Sequence, residues 1–456
     1  MSADRWHWRA IVAATVAIVA LAASGLAAAQ TPPAPGGGDG IHLGVASCAG
    51  DNCHGAVKRG EFSSVEQNEY LIWSLKDKHS RAFKVLSTEP ALRIARNLGL
   101  PGGKRAAETA QICLDCHADN VPESRRGPRF QLADGVGCEA CHGGAVGWLG
   151  IHISGAPHRA NLAAGLYPTE QPLARAERCL SCHVGEGNKF ATHRIMGAGH
   201  PPIGFELDTY TAIQPAHYHV TAAYIARKGR PNDMQIWAVG QAVDLKKRMD
   251  LLIDPNNAPK GATPELALFD CQACHHAMSQ LQWRARAATG LGPGQLRLYD
   301  ANLVMLRVIA ARVAPDAAEA LATHMLALHQ ASAAPVPDYW AGVQREAAAV
   351  RKAAETLIPA LEKHEFDQGD ARALAQALIA VGVGGADLDY SAAQQQYMAL
   401  QSVVAAMNLL SFADVAQINA LNDALGGIGK TLADDQAYRP EIFVAALRQF
   451  EAKLPR

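Results

Sequence analysis

Gly135-Val136-Gly137-Cys138-Glu139-Ala140-Cys141-His142-Gly143 holds two cysteines separated by two residues, with a histidine directly after the second. The same C-x-x-C-H form recurs as Cys113-Leu114-Asp115-Cys116-His117, Cys179-Leu180-Ser181-Cys182-His183 and Cys271-Gln272-Ala273-Cys274-His275. A stretched version, Cys48-Ala49-Gly50-Asp51-Asn52-Cys53-His54, completes the set; numbered first to fifth in chain order from Cys48 to His275, these motifs use all 10 cysteines of the chain. Two thiols so spaced form thioethers to the two vinyl groups of one haem, and the adjacent histidine then lies beneath the iron as its proximal ligand. The sequence therefore reads as a multihaem c-type cytochrome carrying haem c, five copies expected and four at minimum.

Other uses of paired cysteines fit less well. Zinc ribbons use C-x-x-C in pairs but do not need a histidine after every second cysteine. A thioredoxin-like dithiol occurs once, beside a βαβ pattern. For Cys48 and Cys53 the alternative is a disulfide in an oxidising compartment, because the longer loop must bulge to bring both sulfurs to one porphyrin edge.

The N-terminus predicts export. Arg5 and Arg9 precede an apolar run from Ile11 to Leu26, and Ala27-Ala28-Ala29 fits a cleavage site, giving a signal peptide over 1–29. An uncleaved anchor is the alternative, though the run is barely long enough to span a bilayer. Residues 30–40 read as a Pro/Gly tether. Nothing later suggests a transmembrane span in the mature chain, and the expected location is the periplasm. A net charge of −1 and a pI near 7.0 give no bulk attraction to nucleic acid or acidic membranes. The expected partners are redox proteins, periplasmic or membrane-associated.

Two zones follow. Residues 41–285 contain every cysteine, at roughly 50 residues per cofactor, too few for an ordinary hydrophobic core around each. The porphyrins must then form much of the core. Residues 290–456 are alanine-rich and helical in pattern. Leu296, Tyr299, Leu303, Leu306, Ala310 and Val313 form one stripe closed by Pro315; Tyr397, Leu400, Val404 and Met407 form another; Pro440 opens a last helix. Breaks at Pro335, Gly369, Gly382–Gly385 and Gly426–Gly429 predict five or six helices. His324, His329 and His364 read as surface or helix-face histidines. The fold class expected is mainly α: a multihaem domain with little regular sheet, then a bundle-like helical domain.

The sixth ligand of each iron separates a carrier from an enzyme, because a bis-histidine haem passes electrons but has no place for substrate. Outside the motifs, His42, His79, His152, His158, His193, His200, His217, His219 and His276 are available. His79 and His152 rank first by context, then His200, His193 and His217, with His219 equivalent to His217. Met196 is an alternative ligand.

The ordered blocks Cys48–His54 followed by Trp73…Asp77-Lys78-His79, Cys113–His117, Gly135–Gly143 with His152 downstream, and Arg178–His183 resemble the cytochrome c554 family. That resemblance implies haems packed in near-parallel and near-perpendicular pairs. It further implies His79 as distal ligand of the first haem and His152 as that of another. By motif order it leaves the haem of Cys113, Cys116 and His117 as the one without a distal protein ligand. The stretched first motif, the fifth motif and the helical C-terminal zone depart from the family pattern.

The function expected is electron transfer between redox partners through closely packed haems. The alternative is a redox enzyme acting on hydroxylamine, NO, nitrite or a small sulfur compound at one open haem. Arg194, Tyr218 and Lys189 would then be near the right segments to serve a bound ligand.

Overall fold

The structure is a computed structural model, and it describes residues 40–58, 60, 63, 65–258, 264–275, 289–291, 295–334, 339–385 and 389–455. The expected signal peptide, most of the tether, Pro335 and His276 lie outside these residues. Among the described residues there are 19 α-helices and no strand longer than an isolated bridge, such as His42 with Arg126 or Phe269 with Leu298. The fold is mainly α.

In the cysteine-bearing zone the helices are short: α1 (Glu69–Lys76), α2 (Glu89–Asn97), α3 (Ala106–Thr109), α4 (Gln111–His117), α5 (Cys138–His142), α6 (Leu149–Ile153), α7 (His158–Ala163), α8 (Pro172–His183), α9 (His193–Gly197), α10 (Leu207–Ile213) and α11 (Ala222–Lys228). They enclose only one small apolar cluster of their own, built on Leu86, Ala95, Ala106, Ala107, Leu114 and Ala118. So thin a core agrees with a shell wrapped around cofactors.

The remaining helices are long: α12 (Asp233–Ile253), α13 (Ala301–Val313), α14 (Pro315–Ser332), α15 (Tyr339–Lys363), α16 (Gln368–Val383), α17 (Tyr390–Leu409), α18 (Val415–Thr431) and α19 (Pro440–Glu451). The axis of the assembly is α12, which lies against α15, α8, α13, α10 and α17. Met234, Trp237, Ala238, Val239, Ala242 and Val243 are fully buried along it. A helix apolar on so many sides belongs inside a protein.

Several expectations change. One continuous core runs from Ala176 on α8 to Phe450 on α19, so the boundary drawn at 285–290 does not divide the packing. Among the described residues the zone after residue 290 holds seven helices. Gly426–Gly429 lies inside α18, and a Cβ on Gly429 would meet the Tyr397 hydroxyl at 2.8 Å, so that glycine makes room for a neighbour. Pro315 both ends α13 and opens α14, while Leu296 and Tyr299 precede α13. The stripe on α17 and the Pro440 helix start are as expected. His329 is fully buried, its Nε2 3.0 Å from Asp300 Oδ2, and His364 Nε2 lies 2.8 Å from Asp370 Oδ2.

Candidate functional site

Three of the C-x-x-C-H motifs occupy helix ends: Cys113–His117 closes α4, Cys138–His142 is α5, and Cys179–His183 closes α8. Helical spacing explains the chemistry, because positions i, i+3 and i+4 share one face. Both thiols and the imidazole thus address one flat group. Cys271–Ala273 forms a 3-10 turn instead. The stretched motif folds its extra residues into a loop, with Cys53 N donating to Gly50 O and His54 N to Cys48 O. A side chain on Gly55 would collide with the Ala49 carbonyl, so glycine there lets the loop close. None of the ten cysteines is in a disulfide, Cys48 and Cys53 included.

Each motif histidine faces one histidine from elsewhere in the chain. The ring centroids of His54 and His152 are 5.9 Å apart, of His79 and His183 6.3 Å, and of His117 and His200 6.3 Å. Those of His142 and His217 are 6.2 Å apart and those of His193 and His275 6.3 Å. Two imidazoles bound trans to one metal at about 2 Å each would have centroids about 6 Å apart. The same spacing recurs at all five motifs, although the interplanar angles range from 17° to 90°. Among the described residues no three His, Cys, Asp or Glu side chains gather as a metal-ion site. A haem iron draws four ligands from its porphyrin and needs only two from protein.

Hydrogen bonds orient these rings. His54 Nδ1 lies 2.9 Å from Glu69 Oε2, and His79 Nδ1 2.9 Å from Asp77 Oδ1. His117 Nδ1 donates to the Ala82 carbonyl at 2.9 Å and His200 Nδ1 to the Pro201 carbonyl at 2.8 Å. Such partners fix the tautomer and leave the other nitrogen free to bind a metal. Burial pushes His142 down to about 3, helped by neighbouring His217, and burial pushes His183 down to about 4. Both rings are neutral at pH 7, the form that ligates. Burial alone would raise the Asp77 carboxyl, but hydrogen bonds from His79 and Gln214 hold it down at about 2. Near the rings, Trp148 Nε1, Arg178 Nε and Asn68 Oδ1 are buried without a partner, as expected where a polar-edged group belongs. The donor set and its spacing fit haem c.

Of the unpaired histidines, His42 Nδ1 is 2.7 Å from Asp119 Oδ2 and His158 Nε2 is 2.7 Å from Glu170 Oε1; His219 is exposed. Met196 lies on α9 between His193 and His200. Against the resemblance, His79 faces the fourth motif rather than the first, which meets His152. The second motif, expected to stay open, meets His200. Lys189 and Arg194 have protein partners, Ser181 Oγ and the Leu98 carbonyl, and Tyr218 stacks on Tyr224.

Sequence reasoning missed Glu139. Its buried carboxylate accepts the backbone N–H groups of Leu43, Gly44 and Ala145, each at 2.7 Å, tying the approach to the first motif onto the third. An acidic residue between two haem-binding cysteines was the available signal.

Residues 47–143 match the family described as Cytochrome c554 and c-prime. This haem-motif segment belongs to the cytochrome c554 family. The c554 match takes in the stretched motif and the motifs at 113–117 and 138–142, and stops short of the fourth and fifth. The protein is thus a c-type cytochrome, carrying haem c and acting in electron transfer. No curated protein and no solved structure matches the chain. Among the described residues no helix is long and apolar enough to cross a membrane.

Proposed function

We propose that this c554-family cytochrome carries five haems and relays electrons between redox proteins in the periplasm, with every iron closed by two histidines. The observation that carries the reading is the recurrence of one ring spacing, 5.9–6.3 Å, at all five motif histidines. On this reading His54 pairs with His152, His117 with His200, His142 with His217, His183 with His79, and His275 with His193. Haem supplies one-electron chemistry; the chain sets each potential through ligand identity, burial and nearby charge. Cysteine positions support close packing: Cys48 lies beside Cys138, and Cys116 beside Cys182. The location rests on the N-terminal apolar run and on the export that thioether attachment requires.

The test combines a pyridine haemochrome count with absorption and EPR spectra, oxidised and reduced, with and without CO. Five haems, all low-spin and inert to CO, support the conduit. A high-spin haem that binds CO would favour the enzyme reading and direct substrate screening to that iron.

A further inference from the structure

The fifth motif lies outside the segment matched by the c554 family. His193 begins α9 and His200 follows its end; the first faces His275 and the second faces His117, each at 6.3 Å. The helix stops in a Schellman-type turn. Gly199 N donates to Met196 O and His200 N to Ile195 O, with Gly199 at φ 116. Five residues of helix rise only about 7.5 Å, so both imidazoles leave one compact segment.

That segment is clamped on two sides. Glu265, in the approach to the fifth motif, accepts His193 N at 2.7 Å. From α2, Asn97 Nδ2 donates to Ala198 O at 2.9 Å, and Leu98 O accepts the Arg194 guanidinium at 2.8 Å. Exposure adds a direction: Cys271 and Cys274 are exposed, while the other eight cysteines are partly buried.

We propose that residues 193–200 couple the fifth haem site directly to the second, and that the fifth site is the exposed end of the relay, where a one-electron redox protein delivers or removes the electron. The inference rests on reading the ring pairs as axial ligands. A haem held there by His275 and His193 would supply the one-electron exchange with such a protein, with no bond made or broken. His193 and His200 hold the two neighbouring sites in register.

The experiment uses His193→Ala in the full-length holoprotein, with His200→Ala to identify the EPR signal of the second haem. His193→Ala should give one high-spin haem, which CO locks in the diamagnetic ferrous state while the rest stay ferric. The signal that then changes shape should be the one altered in His200→Ala. A change confined to a different haem, or none, overturns the coupling. If His193→Ala creates no CO-binding haem, the pairing of His193 with His275 falls while the other four pairs stand. Four haems, or CO binding in the unsubstituted protein, would overturn the five-closed-haem reading as well. Should His193→Ala not accumulate, His193→Met keeps six ligands and raises the potential of the fifth haem. A secondary shift in the titration of the His200 haem then supports the coupling, and its absence overturns it.

Discussion

The ring of His79 stands 6.3 Å from that of His183 and at 90° to it, although the first precedes the second motif and the second closes the fourth. Asp77 fixes this arrangement, accepting the His79 backbone N–H at 3.0 Å and the Gln214 amide at 2.9 Å through its two oxygens. A histidine close in sequence to the first motif thereby faces the histidine of a motif more than 100 residues later.

His79→Ala should therefore open the fourth iron and leave the first closed. The expected outcome is five haems by pyridine haemochrome, one of them newly high-spin and CO-binding. Removing the first attachment site with Cys48→Ala and Cys53→Ala should leave that CO signal in place. In the same background the CO signal of His152→Ala should vanish. If the two variants respond the other way round, His79 serves the first haem.

The partners of the imidazole Nδ1 atoms rank the potentials. Carboxylates hold His54 and His79, whereas backbone carbonyls hold His117 and His200. A carboxylate makes the ring a stronger donor and favours ferric iron. Asp77→Asn should raise the fourth haem, and Glu69→Gln the first, by about 60 mV each, the equivalent of tenfold in a one-electron equilibrium. Spectroelectrochemical titration would show one component moving in each variant. An unchanged titration in both would mean that these carboxylates do not tune the iron.

The attachment chemistry was legible because it is local: cysteine and histidine at i, i+3 and i+4 act within one turn of helix. The five leading distal candidates, His79, His152, His193, His200 and His217, each face a motif histidine. Which faces which was not legible, since each pair joins segments far apart in sequence, and motif order is a poor guide to spatial order. The helical zone was legible by periodicity but not by extent. The central helix α12 lies before the fifth motif, where cysteine content suggested haem packing rather than a bundle core. Gly429 misled for a related reason: a glycine that admits the Tyr397 hydroxyl looks in sequence like one that ends a helix.

Leu180 lies between Cys179 and Cys182, is 1% exposed, and belongs to the same core as the long helices. The fourth haem site and the bundle should therefore unfold together. Leu180→Ala should cost about 2–5 kcal/mol, the range for a buried leucine. Denaturant titrations followed at the Soret band and by far-UV circular dichroism should shift by the same amount. Two separated midpoints would show instead that the haem zone and the helices are independent units.

Acid stability offers a check on the bundle away from the haems. Asp370 is buried at the start of α16, where it completes a capping box with Asp367, takes the Arg312 guanidinium at 2.5 Å and lies 2.8 Å from His364 Nε2. Burial alone would raise its carboxyl, but the bonds from Arg312, the Asp367 backbone and His364 outweigh it and hold the group below its ordinary value. A carboxylate so depressed stabilises the fold above the usual carboxylate range and loses that contribution as pH falls through its folded value. Asp370→Asn should cost about 1 kcal/mol near pH 7, as a weakened cap does. The gap from the unsubstituted protein should shrink steadily below about pH 4, where the unfolded carboxylate takes up its proton. Thermal melts at a series of pH values would read this directly, and a gap that stays constant down to acid pH would show that the Asp370 charge contributes nothing.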